Sequence, residues 1–363
     1  KVMNYSIILY IVGKVMMLEA TCFLIPAVTS IIYGEHEGFA YLTVGVVAAV
    51  IGYLISSKKK FEHVFFAREG FVMVALSWIV LSVVGAIPFV VTGEIPNMID
   101  ALFETVSGFT TTGASILEDV ESLSHTSLIW RSFTHWVGGM GVIVLLLAIL
   151  PMAGGYNMHL MKAESPGPVV GKLVPRLRDT AKILYLIYLV MTVIEFVILV
   201  IIKMPVFDAL CITFGTAGTG GFGIKADSIG SYSYAIQVVV TIFMILFGVN
   251  FNAYFVLLGK HKKEAFKIEE VRWYFGIILA AILIITVNIR GYFDNILIAL
   301  NHAAFQVGSI ITTTGYSTTD FDRWPQLSRN ILIFLMMCGA CAGSTGGGLK
   351  VSRIVVMVKS AFQ

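Results

Sequence analysis

The chain has 363 residues, of which 57% are hydrophobic and 13% are charged, and its formal net charge is +3. Its mean hydropathy is +0.87. So few charged residues cannot cover the surface of a water-soluble globule of this size, so the composition predicts a polytopic membrane protein. The small positive net charge does not indicate nucleic-acid binding. The distribution of charged residues among the segments between helices is more informative.

Runs of about 20 apolar residues, the length that one helical crossing of the hydrocarbon core requires, recur along the chain. Seven runs lie near 5–27, 39–56, 71–92, 127–152, 183–202, 234–258 and 273–289. An eighth, broken run starts near residue 330. The first run is long and lacks a small-residue cleavage site, so we expect it to stay attached rather than act as a signal peptide. The pattern predicts an all-α fold.

Lys and Arg concentrate in three connections between these runs, at 58–70, 154–182 and 260–272. The connections at 28–38 and 92–126 contain neither residue. The second of these carries the acidic residues Glu94, Asp100, Glu104, Glu118, Asp119 and Glu121. The positive-inside rule therefore predicts that the basic connections are cytoplasmic and that the acidic one faces the outer side.

One 16-residue pattern occurs three times. It reads DALFETVSGFTTTGAS at 100–115, DALCITFGTAGTGGFG at 208–223 and HAAFQVGSIITTTGYS at 302–317. Aligned without gaps, the copies share Ala at the second position, Thr at the twelfth and Gly at the fourteenth: Ala101, Ala209, Ala303, Thr111, Thr219, Thr313, Gly113, Gly221 and Gly315. The spacing leaves room between copies for an outgoing helix, a connection and a returning helix, so each unit is predicted to be helix, re-entrant element, helix.

The residue types of the repeat suit a cation pore. The roughly ten residues before each Thr-x-Gly fit a helix too short to span the bilayer. Pro96 and Pro205 stand where such helices would begin, and Asp100 and Asp208 suit their positive N-terminal ends. The negative C-terminal ends then point to the membrane interior, where Gly lets backbone carbonyls replace the hydration shell of an ion. Ordinary outer loops rich in small residues are the alternative, and three copies in register disfavour it.

Several stretches carry a resemblance to a known family. They are SGFTTTGAS (107–115), WVGGMGVIVLLLAILP (136–151), GTGGFG (218–223), ITTTGYSTTDF (311–321) and CAGSTGGGLK (341–350). With them the chain resembles the TrkH/TrkG potassium transporters of the Trk/Ktr/HKT superfamily. The resemblance implies four helix, pore-helix, helix units arranged pseudo-symmetrically around one pore per subunit. It also implies a homodimer in the bacterial inner membrane and a cytosolic, nucleotide-binding TrkA-like regulatory subunit.

By match to the family, the Thr-x-Gly segments would form a selectivity filter that holds K⁺ at its glycines. The filter residues would be Thr110, Thr111, Thr112, Gly113, Gly218, Thr219, Gly220, Gly221, Thr312, Thr313, Thr314 and Gly315. Each Thr-x-Gly segment would form one wall of the filter. In the second wall, Gly220 stands where the other copies have Thr112 and Thr314. This difference changes the side-chain contacts of that wall but not its backbone register. K⁺ is the expected transported ion, with Rb⁺ or Na⁺ as possible substitutes and no covalent cofactor.

The segment CGACAGSTGGGLK (338–350) follows Gly315 too closely for a full hairpin to fit between them, so it is not a fourth filter. It resembles the family's intramembrane loop that interrupts the second helix of the third unit and acts as a gate. The gate residues would be Gly339, Ala340, Cys341, Ala342, Gly343, Ser344, Thr345, Gly346, Gly347, Gly348 and Lys350. The alternatives are a small-residue helix in close packing and a phosphate loop, which fails because Leu349 follows Gly348 where Lys is required.

The units divide the chain into two leading transmembrane helices (1–60) and three pore units (61–153, 154–259 and 260–363). A fourth pore unit is expected, because three units alone would leave the ion path exposed to lipid. This fourth unit is absent from the chain. A sodium-permeable or ion-coupled transporter of the same architecture is the first alternative, and glycine at all three walls argues against it. A polytopic membrane enzyme is the second, but no paired carboxylates, nucleophile with base, or nucleotide fingerprint occurs, so we expect no enzyme.

Overall fold

The computed structural model describes residues 5–57, 67–141, 177–259 and 262–361. The predicted all-α class is confirmed, because the regular elements of these ranges are helices. The α-helices are α1 (Tyr5–Cys22), α2 (Leu24–Tyr33), α3 (Gly38–Ser57), α4 (Ala67–Thr92), α5 (Met98–Phe109), α6 (His125–Gly139), α7 (Leu177–Ile201), α8 (Val206–Ala217), α9 (Tyr234–Phe247), α10 (Phe251–Leu258), α11 (Lys262–Ala265), α12 (Glu269–Ile289), α13 (Ile296–Ile311), α14 (Gln326–Cys338) and α15 (Val351–Ala361).

Five helical stretches in the described residues are long and apolar enough to cross a membrane. They are Tyr5–Tyr33, Gly38–Ser57, Glu69–Thr92, Lys182–Ile201 and Glu269–Tyr292. Each coincides with one of the predicted apolar runs, which confirms that those runs form apolar helices of spanning length. The predicted run 127–152 begins as α6, and its second half lies outside the described residues.

The predicted apolar run 234–258 is broken in the structure. The segment forms α9 and α10, which are bent by 89° at the break between Phe247 and Phe251. One tertiary contact and one local hydrogen bond lie at the break. A Cβ on Gly248 would lie 2.3 Å from the hydroxyl of Tyr274, so α12 approaches the backbone here. Asn250 starts the new helix by accepting a hydrogen bond from the backbone N–H of Asn252 at 2.9 Å.

Residues 1–110 and 114–185 form one compact unit, the N-terminal unit. Its helices α1 and α3 touch through glycine, since a Cβ on Gly13 would lie 2.6 Å from the carbonyl oxygen of Gly52. Small residues let membrane helices pack this closely. Trp130 of α6 is fully buried among aromatic rings and donates its indole N–H to the Gly85 carbonyl of α4 at 3.1 Å. Polar and apolar contacts therefore both hold α4 and α6 together.

Residues 111–113 and 186–363 form the second compact unit, the C-terminal unit. Its core includes the fully buried Tyr274 of α12 and Tyr316, which follows α13. Ala209 and Ala303, the shared second residue of two repeats, have no exposed surface, and neither has Ala101 in the N-terminal unit. The division into pore units stays a prediction, because its boundaries near 60, 153 and 260 fall outside the described residues.

Candidate functional site

Each repeat begins with the predicted short helix. These helices are α5, α8 and α13, with 12, 12 and 16 residues, and they end at Phe109, Ala217 and Ile311, immediately before the Thr-x-Gly segments 110–113, 218–221 and 312–315. Asn97 and Asn295 cap two of the N-terminal ends, and Pro205 begins the third. The partially negative C-terminal end of each helix is therefore the end that meets its Thr-x-Gly segment.

The shared threonine adopts the same unusual backbone angle in all three copies. The φ angles are +55° for Thr111, +53° for Thr219 and +59° for Thr313. A β-branched residue in this left-handed region is strained, and such strain costs about 1–3 kcal/mol and tends to persist at functional sites. The threonine therefore holds a backbone geometry that the sequence would not choose locally.

Backbone hydrogen bonds identify this geometry as a helix-terminating turn in two copies. The N–H of Gly220 bonds the Gly215 carbonyl at 2.9 Å, and the N–H of Thr314 bonds the Ser309 carbonyl at 2.9 Å. These six-to-one bonds define the Schellman motif, in which glycine usually occupies the left-handed position. Here threonine occupies it, and the hydroxyls of Thr219 and Thr313 donate to the preceding carbonyls at 2.7 and 2.6 Å.

The glycines two residues later are also left-handed, and two of them face a carbonyl of the next segment. A Cβ on Gly113 would lie 2.0 Å from the Gly220 oxygen, and one on Gly221 would lie 1.8 Å from the Thr314 oxygen. No side chain fits either place. A Cβ on Gly315, by contrast, would have no atom of the described residues within 4 Å, apart from its neighbours in the chain. The three segments thus converge in order, with backbone oxygens where they meet.

Tyr316 joins the second and third segments. Its buried hydroxyl lies 3.2 Å from the Phe222 carbonyl oxygen and 3.3 Å from that of Ile212. Gly215 makes room for it, since a Cβ there would lie 2.1 Å from this hydroxyl. The sequence pattern alone gives Tyr316 no role, although its position directly after the glycine of a Thr-x-Gly segment is a signal.

The Gly-rich loop, residues 339–350, is not helical and separates α14 from α15. The predicted break in the eighth apolar run is therefore confirmed, and the small-residue helix is wrong for this segment. Gly339, Gly343, Gly348 and Lys350 have φ between +69° and +81°. Left-handed residues at four places end any helical repeat, which is the physical reason that the helix stops at Cys338.

The Gly-rich loop touches the third Thr-x-Gly segment. The N–H of Gly347 donates to the Thr313 hydroxyl at 2.7 Å. A Cβ on Gly346 would lie 2.8 Å from the Thr312 carbonyl oxygen. Buried Lys350 folds back and donates from its ammonium to the Gly346 carbonyl. A positive charge is therefore attached to the part of the loop that borders the Thr-x-Gly segment.

The first repeat carries a buried ion pair in the N-terminal unit. The Glu104 carboxylate of α5 bonds Arg131 Nε of α6 at 2.5 Å, and the two side chains are 0% and 5% exposed. The same carboxylate accepts from the Ser115 hydroxyl at 3.0 Å and the Ile116 N–H at 3.1 Å. Glu104 is therefore not one of the outer charges that the acidic connection predicts, and a carboxylate within a short apolar helix is itself a signal of a buried partner.

Each predicted filter residue lies in or beside these turns. Thr110 closes α5 and donates its hydroxyl to the Val106 carbonyl at 2.6 Å, and the Thr312 hydroxyl lies 2.7 Å from that of Thr314. The oxygens available to an ion are thus mainly backbone carbonyls. In the described part of the chain, no group of three or more His, Cys, Asp or Glu side chains is placed to hold a metal ion.

Comparison with known proteins agrees with this geometry. The family model described as TrkH, a cation transport protein, matches residues 42–362. The chain is 40% identical to the Trk system potassium uptake protein TrkH of Salmonella typhimurium, over 98% of this chain and 75% of that protein. It is 32% identical to the Trk system potassium uptake protein TrkG of Escherichia coli K12, over 99% and 75% of the two chains.

A solved structure is similar as well. The crystal structure of the potassium transporter TrkH from Vibrio parahaemolyticus matches with a TM-score of 0.86 at 33% identity, covering 98% of this chain and 75% of that one. Family model, relatives and fold agree over nearly the whole chain. The chain therefore belongs to the TrkH family of cation transport proteins.

Proposed function

We propose that this chain moves potassium ions across the bacterial inner membrane through a selectivity filter built from the Thr-x-Gly segments. Its family is one of transporters and not of enzymes. Relatives at 32–40% identity are named as potassium uptake proteins. The filter residues are those of segments 110–113, 218–221 and 312–315, with K⁺ bound by their backbone oxygens.

One observation carries the proposal: Gly113 and Gly221 each abut a carbonyl oxygen of the next segment with no room for a side chain. Converging carbonyl dipoles are the ligands that replace the hydration shell of K⁺. The C-terminal ends of three short helices add partial negative charge at the same segments. Such a site stabilises a dehydrated cation and repels anions.

We infer that the filter has a fourth wall, and the open space beside Gly315 supports this inference. Gly113 faces the second segment and Gly221 faces the third, but the space beside Gly315 is open among the described residues. A fourth Thr-x-Gly or related segment beside Gly315 would continue the same order. Closing the ring would also shield the ion path from lipid, in which unsatisfied polar groups are costly.

The Gly-rich loop is the proposed gate. Its residues Gly346 and Gly347 border Thr312 and Thr313 of the filter. The ammonium of Lys350 bonds the same part of the loop and would oppose the passage of a cation. Displacing the loop would remove both the steric and the electrostatic barrier.

The family resemblance supports three further parts of the proposal. The protein would be a homodimer with one pore per subunit, and the Thr-x-Gly segments would face the outer side. The basic connections would be cytoplasmic, where a TrkA-like nucleotide-binding subunit would dock. The division into leading helices 1–60 and pore units 61–153, 154–259 and 260–363 belongs to the same proposal.

Rubidium uptake into liposomes that contain the full-length protein tests the function, with potassium and sodium added separately as competitors. Competition by potassium alone is the expected result. Equal competition by sodium would contradict a potassium-selective filter and would favour the sodium-permeable alternative. Absence of uptake by a folded protein would contradict ion conduction itself.

Gly315→Ser tests the filter assignment in the same assay. Gly315 has a left-handed φ of +88° and meets nothing within 4 Å among the described residues, so serine there adds backbone strain without a clash in this part of the chain. Beside a fourth segment the added group would disturb the carbonyls and weaken discrimination against sodium. Gly34→Ser is the matched control, because Gly34 has a similar φ of +69° and open space and lies outside the filter segments. Unchanged discrimination in Gly315→Ser would remove Gly315 from the filter.

Deletion of Gly343–Gly347 tests the gate. Without this segment the Gly-rich loop cannot reach Thr312 and Thr313, so uptake in the absence of any partner should rise. A folded deletion variant with unchanged basal uptake would show that the loop is only a packing element.

A further inference from the structure

The Gly-rich loop is attached to the cytoplasmic end of α12 through one side chain. Oε1 of Glu270 accepts hydrogen bonds from the backbone N–H of Ala342 at 2.7 Å and of Ser352 at 3.2 Å. Oε2 of Glu270 accepts a bond from the side-chain amide of Asn250 at 3.4 Å. Sequence analysis gave no role to Glu270, which it counted only as part of a basic cytoplasmic connection.

The three donors come from three different segments. Ala342 lies in the first half of the Gly-rich loop, and Ser352 lies in the first turn of α15, directly after the loop. Asn250 lies in the break between α9 and α10. A single carboxylate therefore joins both sides of the loop and the bent span. The start of α15 suits a negative partner, because the N-terminal end of a helix is partially positive.

The loop and the bent span are also paired directly. The N–H of Cys341 bonds the Gly248 carbonyl at 3.0 Å, and the N–H of Phe251 bonds the Gly343 carbonyl at 2.9 Å. These two bonds flank the Ala342 N–H that Glu270 accepts. Removal of the carboxylate would leave the Ala342 N–H unpaired. The hydrogen bond that is lost helps to align the two loop bonds on either side of it.

Glu270 stands at the junction between membrane and connection. It is the second residue of α12, and the preceding residues 262–268 belong to a connection that carries several lysines. A displacement of this connection moves the first turn of α12 and, with it, the carboxylate. Hydrogen bonds to a charged group are short-ranged and directional, so a small movement breaks them.

We propose that Glu270 is a positioning residue that holds the Gly-rich loop against the filter and releases it when the cytoplasmic end of α12 moves. The inference rests on the proposed role of the loop as a gate. It adds a latch, which we define as the hydrogen bonds from Ala342, Ser352 and Asn250 to Glu270 in the closed state. Through this latch a movement on the cytoplasmic side would reach the gate.

Glu270→Gln tests the latch, since glutamine keeps the shape and loses the charge. Basal rubidium uptake into liposomes without any partner should rise roughly tenfold, the effect of weakening hydrogen bonds to a charged group. The preference for potassium over sodium should stay unchanged, because the filter segments are untouched. Glu269→Gln is the matched control: Glu269 is the neighbouring carboxylate, is exposed and pairs with Lys359 at 2.7 Å.

A second readout reports the loop itself. Cys341 is fully buried in the closed loop, and the other three cysteines, Cys22, Cys211 and Cys338, can be replaced by alanine. In that background Glu270→Gln should speed alkylation of Cys341 by a maleimide, and Glu269→Gln should not. A change that only lowered overall stability would reduce the melting temperature without speeding alkylation of Cys341 under native conditions.

Native rates of both uptake and alkylation in Glu270→Gln would overturn the latch, and so would faster uptake without faster alkylation. The deletion of Gly343–Gly347 separates this failure from failure of the gate. If the deletion raises uptake and Glu270→Gln does not, the latch alone is wrong. If neither raises uptake, the loop is not a gate and the latch is wrong as well.

Discussion

Gly221 faces the carbonyl oxygen of Thr314 so closely that a Cβ on Gly221 would lie 1.8 Å from it. The φ of Gly221 is +79°, in the region where side chains are strained. Sterics and backbone conformation therefore both require glycine at this position. The contact joins the second and third Thr-x-Gly segments directly through their backbones.

Gly221→Ala should consequently damage the protein more than the same change at Gly315. The clash is with backbone, which cannot move aside without separating two segments, and the left-handed angle adds about 1–3 kcal/mol of strain. We expect a lower melting temperature and loss of rubidium uptake for Gly221→Ala, and a smaller fall in melting temperature for Gly315→Ala, which carries similar strain at its φ of +88° but meets no clash among the described residues. Equal melting temperatures for the two variants would contradict the close approach of the segments.

Thr313 and Thr219 provide a matched pair that tests the contact between the Gly-rich loop and the third Thr-x-Gly segment. Both hydroxyls donate to the preceding carbonyl, but only that of Thr313 also accepts from a loop N–H, that of Gly347. Thr313→Ala should therefore raise basal uptake about fivefold, the effect of losing roughly 1 kcal/mol of hydrogen bonding. Thr219→Ala should raise it far less, and Thr313→Ser should restore the native rate. The same increase in both alanine variants would argue against the loop contact.

Arg131→Met should be strongly destabilising because it leaves the buried Glu104 carboxylate without its cation. Removing one partner of a buried pair typically costs about 3–5 kcal/mol. Adding Glu104→Gln should recover much of the loss, since the neutral amide oxygen can still accept from Ile116. Melting temperature measures both effects. Arg323→Met serves as the control, because Arg323 is 84% exposed in its pair with Asp320 and should change little.

Glu35 should contribute stability that depends on pH. Burial by itself raises the pKa of Glu35, but hydrogen bonds from Thr126 and His125 outweigh it, so the pKa lies below its usual value of 4.5. A carboxyl with a lowered folded-state pKa stabilises fully above 4.5, and this stability is lost as pH falls through the folded pKa. Glu35→Gln should therefore flatten the fall in melting temperature below pH 4.5. An equally steep fall in the variant would mean that other groups govern it.

Much of this protein could be predicted from local sequence. The apolar runs are long enough to cross a membrane whatever their neighbours, so the spans from Tyr5 to Tyr33 and from Glu269 to Tyr292 agree with prediction. The short helices before each Thr-x-Gly and the break after Cys338 also follow from local chemistry, since helix length and glycine content act over a few residues.

Tertiary contacts decided the rest. The bend at Gly248 lies against the hydroxyl of Tyr274, a contact that no apolar pattern within 234–258 can predict. The left-handed angle of Thr313 opposes the preference of threonine and persists because the surrounding turn imposes it. Glu270 looks like an ordinary charge at the end of a span, and only the folded chain brings Ala342, Ser352 and Asn250 to its carboxylate.

The sequence by itself determined the membrane class, the spans and the threefold repeat, because hydrophobic length and residue order act along the chain. The tertiary structure alone decided which carbonyls face which glycines and which side chains hold the Gly-rich loop. Those are contacts between residues up to 107 positions apart, such as Gly113 with Gly220. The energies of these contacts depend on the distance and orientation of the two groups in space. The number of residues between them in the sequence gives neither quantity.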